Sequence, residues 1–392
     1  MSVAGSEPKA SKGRRPLRPS VYLARNSAKT LPLAAVIVLA VMLVAGIVSL
    51  INSIPLSIRV IYSYSKQYLG ITPRGDASMT PQLRAIVEKE SPVEVGRIMT
   101  LRGSEIEVRS IVGNWPFVVL ALDQDDMRVF VDRMGGGAIN GRFPEAGEAG
   151  VIVSRNIAKN LKLELGSVLL KPDDMTYFSP NEVKVVGIVD NPNWFVLAPV
   201  EYYRIHHFPP IDVLLVFAKN AADQPKMDAW AMERFKGMNA RLFTYAELEK
   251  QADTMFTILY QILNVVIGTL VVVITIMMGM LMNIYLTQRT EEFGLLQALG
   301  YSRRSILRRV VVETFLTVMG GWVMGLMVAF GLLNLVRIQL FDPSAFAVDT
   351  LDRQAYLYTI PIPIAIMITA FITVWLKFRT FDPVGVVERR LV

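Results

Sequence analysis

Four long stretches of the chain are almost free of charge. They are the stretch between Lys29 and Arg59, Thr254–Gln288, Val310–Val336, and the stretch between Arg353 and Lys377. Each exceeds the roughly 18 apolar residues that a helix needs to cross a bilayer. The pattern therefore predicts four transmembrane helices, at residues 31–57, 254–288, 310–337 and 355–376. A cleaved secretory signal is the alternative for the first stretch, but its apolar run exceeds the roughly 7–15 residues of a signal core, and we expect it to be retained.

The segment 58–250, between the first two stretches, has the composition of a mixed α/β domain. Short runs of branched and aromatic residues predict strands at Phe117–Leu122, Val151–Val153, Val183–Val189 and Val213–Phe217. Asn156–Leu163 predicts a short helix. The fold class is thus a membrane α-helical protein, with four transmembrane helices and a large extracytoplasmic mixed α/β domain inserted between helices 1 and 2.

The second membrane helix is predicted to begin before its apolar stretch. Residues 245–254 contain neither Gly nor Pro, and Thr244 followed by Glu247 matches a capping box. We expect the helix to start there and to project from the bilayer as a stalk. The alternative is a short separate helix followed by a hinge.

The Lys and Arg residues that flank the spans predict the orientation. They crowd the N-terminal tail (1–30), the loop 289–309 and the C-terminal tail (377–392), whereas the loop 338–354 carries three Asp and one Arg. Both termini are therefore expected in the cytoplasm of a bacterial cell, with the spans in its plasma (inner) membrane. The net charge of +7 is expected to meet anionic lipid headgroups, and no nucleic-acid partner is expected.

The sequence offers no candidate catalytic or metal site. It has no Cys, which excludes thiolate chemistry, and it has two His. The closest approach to a phosphate-binding loop, Gly136–Phe143, has Arg142 and Phe143 where Lys and a hydroxyl residue are needed. We expect a chain that is not an enzyme and holds no cofactor or metal.

The loop 289–309 predicts a short amphipathic helix. Phe293, Leu296 and Leu299 share one face, and Glu291 and Glu292 lie near the N-terminal end of the helix. Gly300 is placed to end this helix in the left-handed conformation, and Ser302 to cap the next one. The alternative is a helix that merely floats among headgroups.

From Arg289 to Gly325 the sequence resembles the MacB-like and FtsX-like ABC permeases. The similarity rests on Arg289–Gly294, Ala298–Gly300, the basic run Arg303–Arg309, Glu313, and the glycines Gly320, Gly321 and Gly325. The closing Asp382–Arg389 is similar to a terminal Asp-Pro motif of that family. Within 58–250, Gly141–Phe143, Val151–Ser154, Leu165–Gly166 and Val185–Ile188 occur in the order seen in MacB-type extracellular domains.

The resemblance implies that the loop helix is a coupling helix that docks on a cytoplasmic ABC ATPase dimer. The expected docking residues are Phe293, Leu295, Leu296 and Leu299, with Gly300 closing the helix and Glu291, Glu292, Arg303 and Arg304 at the rim. ATP and Mg would be bound by that ATPase, expected as a separate subunit because this chain shows no ATPase domain. A second permease copy or a related permease, an extracytoplasmic adaptor and membrane lipids are the other expected partners.

Three functions remain open at this point. The favoured one is a mechanotransmission permease that exports or extracts a hydrophobic or amphipathic substrate, such as a peptide, lipid, lipoprotein or antibiotic. The alternative is an FtsX-like transmitter that regulates an extracellular cell-wall hydrolase, although the insert is larger than an FtsX-like one. A passive anchor or receptor is the third.

Three further groups of residues are singled out. Arg309 and Glu313, one turn apart, predict an ion pair rather than a substrate or proton site. Small residues at Gly320, Gly321 and Gly325 predict close helix packing, within the subunit rather than between copies. An aromatic cluster is either a contact surface for substrate or partner, or core: Trp194, Phe195, Tyr202, Tyr203 and Phe208.

Overall fold

The computed structural model describes residues 27–379, except 112, 175, 176 and 209–211. The basic tail before residue 27 and the Asp382–Arg389 motif lie outside the described residues. The chain divides into two compact units. The sheet unit comprises Leu50–Tyr260 and Asn334–Asp349, and the helical unit comprises Gln261–Leu333 with the chain up to Ser49 and from Thr350 onward.

In the described part of the sheet unit, ten strands form one mixed sheet with the order β10-β1-β9-β2-β3-β8-β5-β7-β4, and β6 pairs with β7. The pairs β3–β8 and β5–β7 are parallel, and the other pairs are antiparallel. The strands are β1 (Leu69–Pro73), β2 (Val95–Ser110), β3 (Gly113–Leu122), β4 (Ile139–Gly141), β5 (Gly150–Ser154), β6 (Val168–Leu170), β7 (Val183–Val189), β8 (Val196–Pro199), β9 (Val213–Ala218) and β10 (Ala240–Phe243).

Helices cover parts of this sheet. They are α2 (Thr80–Glu90), α3 (Gln124–Arg133), α4 (Arg155–Leu161), α5 (Val200–Ile205) and α6 (Gln224–Arg234). The four strands predicted from apolar runs are present as β3, β5, β7 and β9. The short helix predicted over Asn156–Leu163 is α4, and it ends where Lys162 adopts the left-handed conformation, with a φ of 56°.

Four helices of the described residues are long and apolar enough to cross a membrane. They are α1 (Ser27–Ile61), α7 (Tyr245–Gln288), α9 (Arg303–Val336) and α11 (Pro361–Arg379). Between α7 and α9 lies α8 (Thr290–Ala298), and α10 (Arg353–Leu357) precedes α11. Pro361 lies within the fourth candidate span and is the first residue of α11. Proline suits that position because the first backbone N–H of a helix has no acceptor within the helix.

The helix α7 is continuous over 44 residues. The Thr244 hydroxyl oxygen accepts a hydrogen bond from the Glu247 backbone N–H at 3.2 Å, which caps the first turn as the sequence predicts. No break separates residues 245–254 from the apolar stretch, so the alternative of a separate short helix with a hinge is wrong.

The segment that follows α9 belongs to the sheet unit. A π-helical turn, Arg337–Phe341, leads into a 3-10 turn, Asp342–Ser344. The buried Asn160 of α4 donates from Nδ2 to the Ser344 carbonyl and to the Arg109 carbonyl, both at 2.9 Å. Its Oδ1 accepts from the Arg109 N–H at 2.8 Å. One buried amide therefore ties this segment to α4 and to the end of β2.

Candidate functional site

The helix α8 is held between α7 and α9 by a short turn on each side. Gly300 has a φ of 89°, the left-handed conformation predicted for the residue that ends α8. The Ser302 Oγ accepts a hydrogen bond from the Ser305 N–H at 3.3 Å and so caps α9. Both turn signals in the sequence therefore have the predicted geometry.

A buried charge network lies beneath α8. The Arg289 guanidinium donates from Nη1 to Glu313 Oε2 and to the Tyr285 hydroxyl, both at 2.7 Å, and from Nε to Glu292 Oε2 at 3.0 Å. The Arg309 Nε donates to the other oxygen of Glu313 at 2.9 Å. The Arg309–Glu313 ion pair predicted from the sequence is thus formed, but as one half of a larger network.

The central pair of the network is nearly sealed from solvent. The side chain of Arg289 is 2% exposed and that of Glu313 is 1% exposed. The Arg289 guanidinium also lies over two aromatic rings, 5.1 Å from the centroid of Tyr285 and 5.2 Å from that of Phe293. Because the guanidinium is always charged, its burial is tolerable only with these partners in place. The network therefore fixes α8 against α7 and α9.

The outer side of α8 is apolar and exposed. Leu295 is 58% exposed and Leu299 is 75% exposed, whereas Leu296 is half-buried. Glu291, Arg303 and Arg304 are exposed around them, while Glu292 turns towards Arg289.

Phe293 does not belong to this outer surface. The sequence grouped it with Leu296 and Leu299 as a docking residue, but its side chain is 3% exposed. Its ring packs under the Arg289 guanidinium. The expectation that Phe293 forms part of an exposed docking face is wrong, because its ring is buried against the Arg289 guanidinium.

Two of the three predicted packing glycines are at a helix contact. A Cβ added at Gly325 would lie 2.8 Å from Val41 Cβ, and one at Gly321 would lie 3.1 Å from Ile37 Cβ. These distances leave no room for side chains between α9 and α1. Gly320 differs, since an added Cβ would meet nothing within 4 Å, and its assignment to this contact is wrong.

The aromatic cluster of the sheet unit is core. Trp194, Phe195, Tyr202 and Tyr203 are each at most 3% exposed, and Phe208 is half-buried against the same core. Burial raises the pKa of the Tyr203 hydroxyl to about 12, and this hydroxyl is hydrogen-bonded to Ser104 at 2.8 Å. The idea that these side chains present a contact surface is wrong for the four buried ones, which belong to the hydrophobic core of the sheet unit. Pro209 and Pro210 lie outside the described residues.

Arg289 and Tyr285 were missed as members of a site. Arg289 entered the sequence analysis only as a flanking positive charge and as part of a family motif. One signal was available, because Glu313 is the single charge in its apolar stretch. A carboxylate within a membrane span is costly unless basic side chains pair with it, so a partner besides Arg309 was worth seeking. In the described part of the chain, no three His, Asp or Glu side chains are grouped as metal ligands.

The arrangement defines a class of protein. Four membrane-capable helices carry a mixed α/β domain after the first helix, and a short helix is clamped between the second and third. The sequence model of the MacB-like periplasmic core domain matches residues 33–232, just over half of the chain. That of the FtsX-like permease C-terminal region matches residues 264–381. The chain belongs to the MacB-like and FtsX-like family of ABC transporter permeases.

Two solved structures are similar to part of this chain at low identity. The periplasmic region of MacB from Actinobacillus actinomycetemcomitans aligns with a TM-score of 0.28 at 10% identity, over 48% of this chain and 92% of that one. The extracellular domain of the noncanonic ABC-type transporter YknZ from Gram-positive bacteria aligns with a TM-score of 0.28 at 10% identity, over 45% of this chain and 100% of that one. No curated protein matches the chain.

Proposed function

We propose that this chain is the permease subunit of an ABC transporter in the plasma membrane of a bacterium, with both termini in the cytoplasm. It couples ATP hydrolysis by a separate cytoplasmic ATPase dimer to movement of its extracytoplasmic domain. Membership of the family implies association with an ABC ATPase and dimerisation of the permease. ATP and Mg are bound by the ATPase in this proposal, and the partner permease is a second copy or a related chain.

The observation that carries the proposal is the exposed apolar ridge of α8, formed by Leu295 and Leu299. Leu295 and Leu299 are exposed beside the charged residues Arg303 and Arg304. A partner that buries both leucines would gain roughly 1.5–3 kcal/mol for each. Because Arg289 and Glu313 anchor the helix from beneath, a push on the ridge moves α7 and α9 rather than only bending a loop.

The MacB-like match over residues 33–232 favours transport over FtsX-like signalling, because a large domain of this type follows the first span. Export or extraction of a hydrophobic or amphipathic substrate is therefore the leading form of the proposal. A chain that instead regulates an extracellular cell-wall hydrolase would need a hydrolase partner, with or without an adaptor, and would show ATP-dependent lytic activity.

Docking is tested by co-purification with a candidate ABC ATPase from the same organism. Leu299→Asp and Leu295→Asp should weaken the complex by roughly thirtyfold, the effect of losing an interface hot spot of about 2 kcal/mol. Leu165→Asp is the matched control, since Leu165 is an exposed leucine of the sheet unit and should leave the complex unchanged. Equal retention of the ATPase by all three variants would show that α8 is not the docking element.

Orientation has its own test, because the chain contains no Cys. A Leu299→Cys variant has a single thiol at the exposed ridge. A membrane-impermeant maleimide should label it in inside-out vesicles and not in intact spheroplasts. Labelling of intact spheroplasts would place the ridge outside the cell and end the proposal.

A further inference from the structure

The sheet unit contains a largely apolar cavity of about 290 Å³. Its walls come from the 3-10 segment Tyr62–Gln67, from strands β1, β2, β3, β9 and β10, and from the first turn of α7. The large side chains that line it include Tyr62, Tyr64, Tyr68, Phe117, Leu215 and Phe243. The cavity lies apart from α8 along the chain and has no part in the ATPase-docking proposal.

This volume suits a small organic molecule. An apolar cavity of about 150 Å³ is known to hold one benzene molecule, and ordinary ligand pockets begin near 300 Å³. A ligand of one or two rings, or a short branched hydrocarbon, therefore matches the space. Apolar surface brought into contact with these walls would supply the main attraction.

One charge distinguishes the cavity from a plain packing defect. Among the described residues that line it, Glu105 alone is charged. Its side chain is exposed, and within the described residues no basic side chain forms an ion pair with it. A carboxylate at the rim of an apolar space favours a ligand with a positive end.

Aromatic rings line the same cavity. The rings of Tyr62 and Phe117 are stacked at 6.4 Å, and Tyr64 lies 5.5 Å from Phe117. All three line the cavity. Such rings offer a large apolar surface for the hydrocarbon part of a ligand.

We propose that this cavity binds a small lipophilic cation, with its apolar part among the aromatic side chains and its positive end beside Glu105. Transport of such a ligand would rest on the proposed function above. Binding itself does not.

The test is a calorimetric titration of benzyltrimethylammonium into the 392-residue chain in nanodiscs, with empty nanodiscs as the blank. The wild-type chain should bind this cation, and Glu105→Gln should weaken binding roughly tenfold through loss of the charge attraction. Glu107→Gln is the matched control, because Glu107 lies two residues along the same strand and does not line the cavity. It should bind as the wild type does.

A second variant and a second ligand separate charge from shape. Val118→Phe adds volume at a half-buried lining position and should abolish binding, while an unchanged thermal unfolding midpoint shows that the variant is folded. Neopentylbenzene, the uncharged analogue of the cation, should bind the wild type more weakly than the cation does. Its affinity for Glu105→Gln should equal its affinity for the wild type.

Three results would overturn the inference. They are no binding of the cation to the wild type, an affinity unchanged in Glu105→Gln, and binding of neopentylbenzene as tight as that of the cation. The last result would define a site for neutral apolar ligands instead. No ATPase is present in these titrations, so their failure leaves the docking proposal standing, and loss of docking in Leu299→Asp leaves the cavity intact.

Discussion

The carboxylate of Glu313 is paired with both Arg289 and Arg309, and the Arg289–Glu313 pair is buried. Exposed ion pairs contribute little to stability, whereas removal of one partner from a buried pair leaves the other charge without compensation. We expect Glu313→Gln to destabilise the packing of α8 by about 3–5 kcal/mol. The measurement is amide hydrogen exchange over Thr290–Ala298 in the detergent-purified chain.

Glu292→Gln is the control for that experiment. Glu292 also accepts a hydrogen bond from Arg289, but its side chain is 40% exposed. Its replacement should cost about 0–1 kcal/mol, as for other partly exposed pairs. If the two variants exchange at the same rate, burial of the Arg289–Glu313 pair does not hold α8 in place.

The sequence predicted the local half of this network and missed the distant half. Arg309 and Glu313 are one turn apart on a helix, so their spacing alone brings them together. Arg289 is 24 residues from Glu313, and their contact depends on how α8 folds back at Gly300. The same long-range contact buries Phe293, which helical periodicity had placed with the exposed leucines.

At the scale of elements, α1 and α9 touch through glycine. Gly325→Leu should destabilise the helical unit by about 1–3 kcal/mol, because the new side chain must displace Val41. Gly320→Leu is the matched control: it faces open space on the same helix, and loss of glycine favours the helix by up to about 1 kcal/mol. Thermal unfolding of the purified chain distinguishes the two. Equal unfolding midpoints would show that the α1–α9 contact is looser than the distances indicate.

Element type was predictable wherever the apolar pattern was strong and local. The four spans and strands β3, β5, β7 and β9 follow from runs of apolar or branched residues. The 16-residue strand β2 was not found, because polar and charged residues interrupt it and its stability comes from pairing with β3 and β9. The mixed strand order depends on contacts distant in sequence, for which no local pattern exists.

For the molecule as a whole, Asn160 joins pieces that are far apart in the chain. Asn160→Ala would leave the Arg109 backbone groups and the Ser344 carbonyl without their buried partner. A buried polar group left unpaired costs about 1–3 kcal/mol. We expect faster hydrogen exchange over the turns at Arg337–Ser344. Asn156→Ala is the control, because Asn156 is on the same helix and donates to the Pro192 carbonyl instead. An equal effect of both changes would show that Asn160 does not hold the Arg337–Ser344 turns in place.

The segment after α9 has a practical consequence for cutting the protein apart. The chain passes between the two units at residues 49/50, 260/261, 333/334 and 349/350. A fragment limited to Leu50–Tyr260 would lack Asn334–Asp349. It would therefore lose the hydrogen bond from Asn160 to Ser344 and the packing of Ala345 against the core. A soluble version of the sheet unit must therefore include Asn334–Asp349 as well. A protease that cuts one of the four connections leaves the two units joined by the other three.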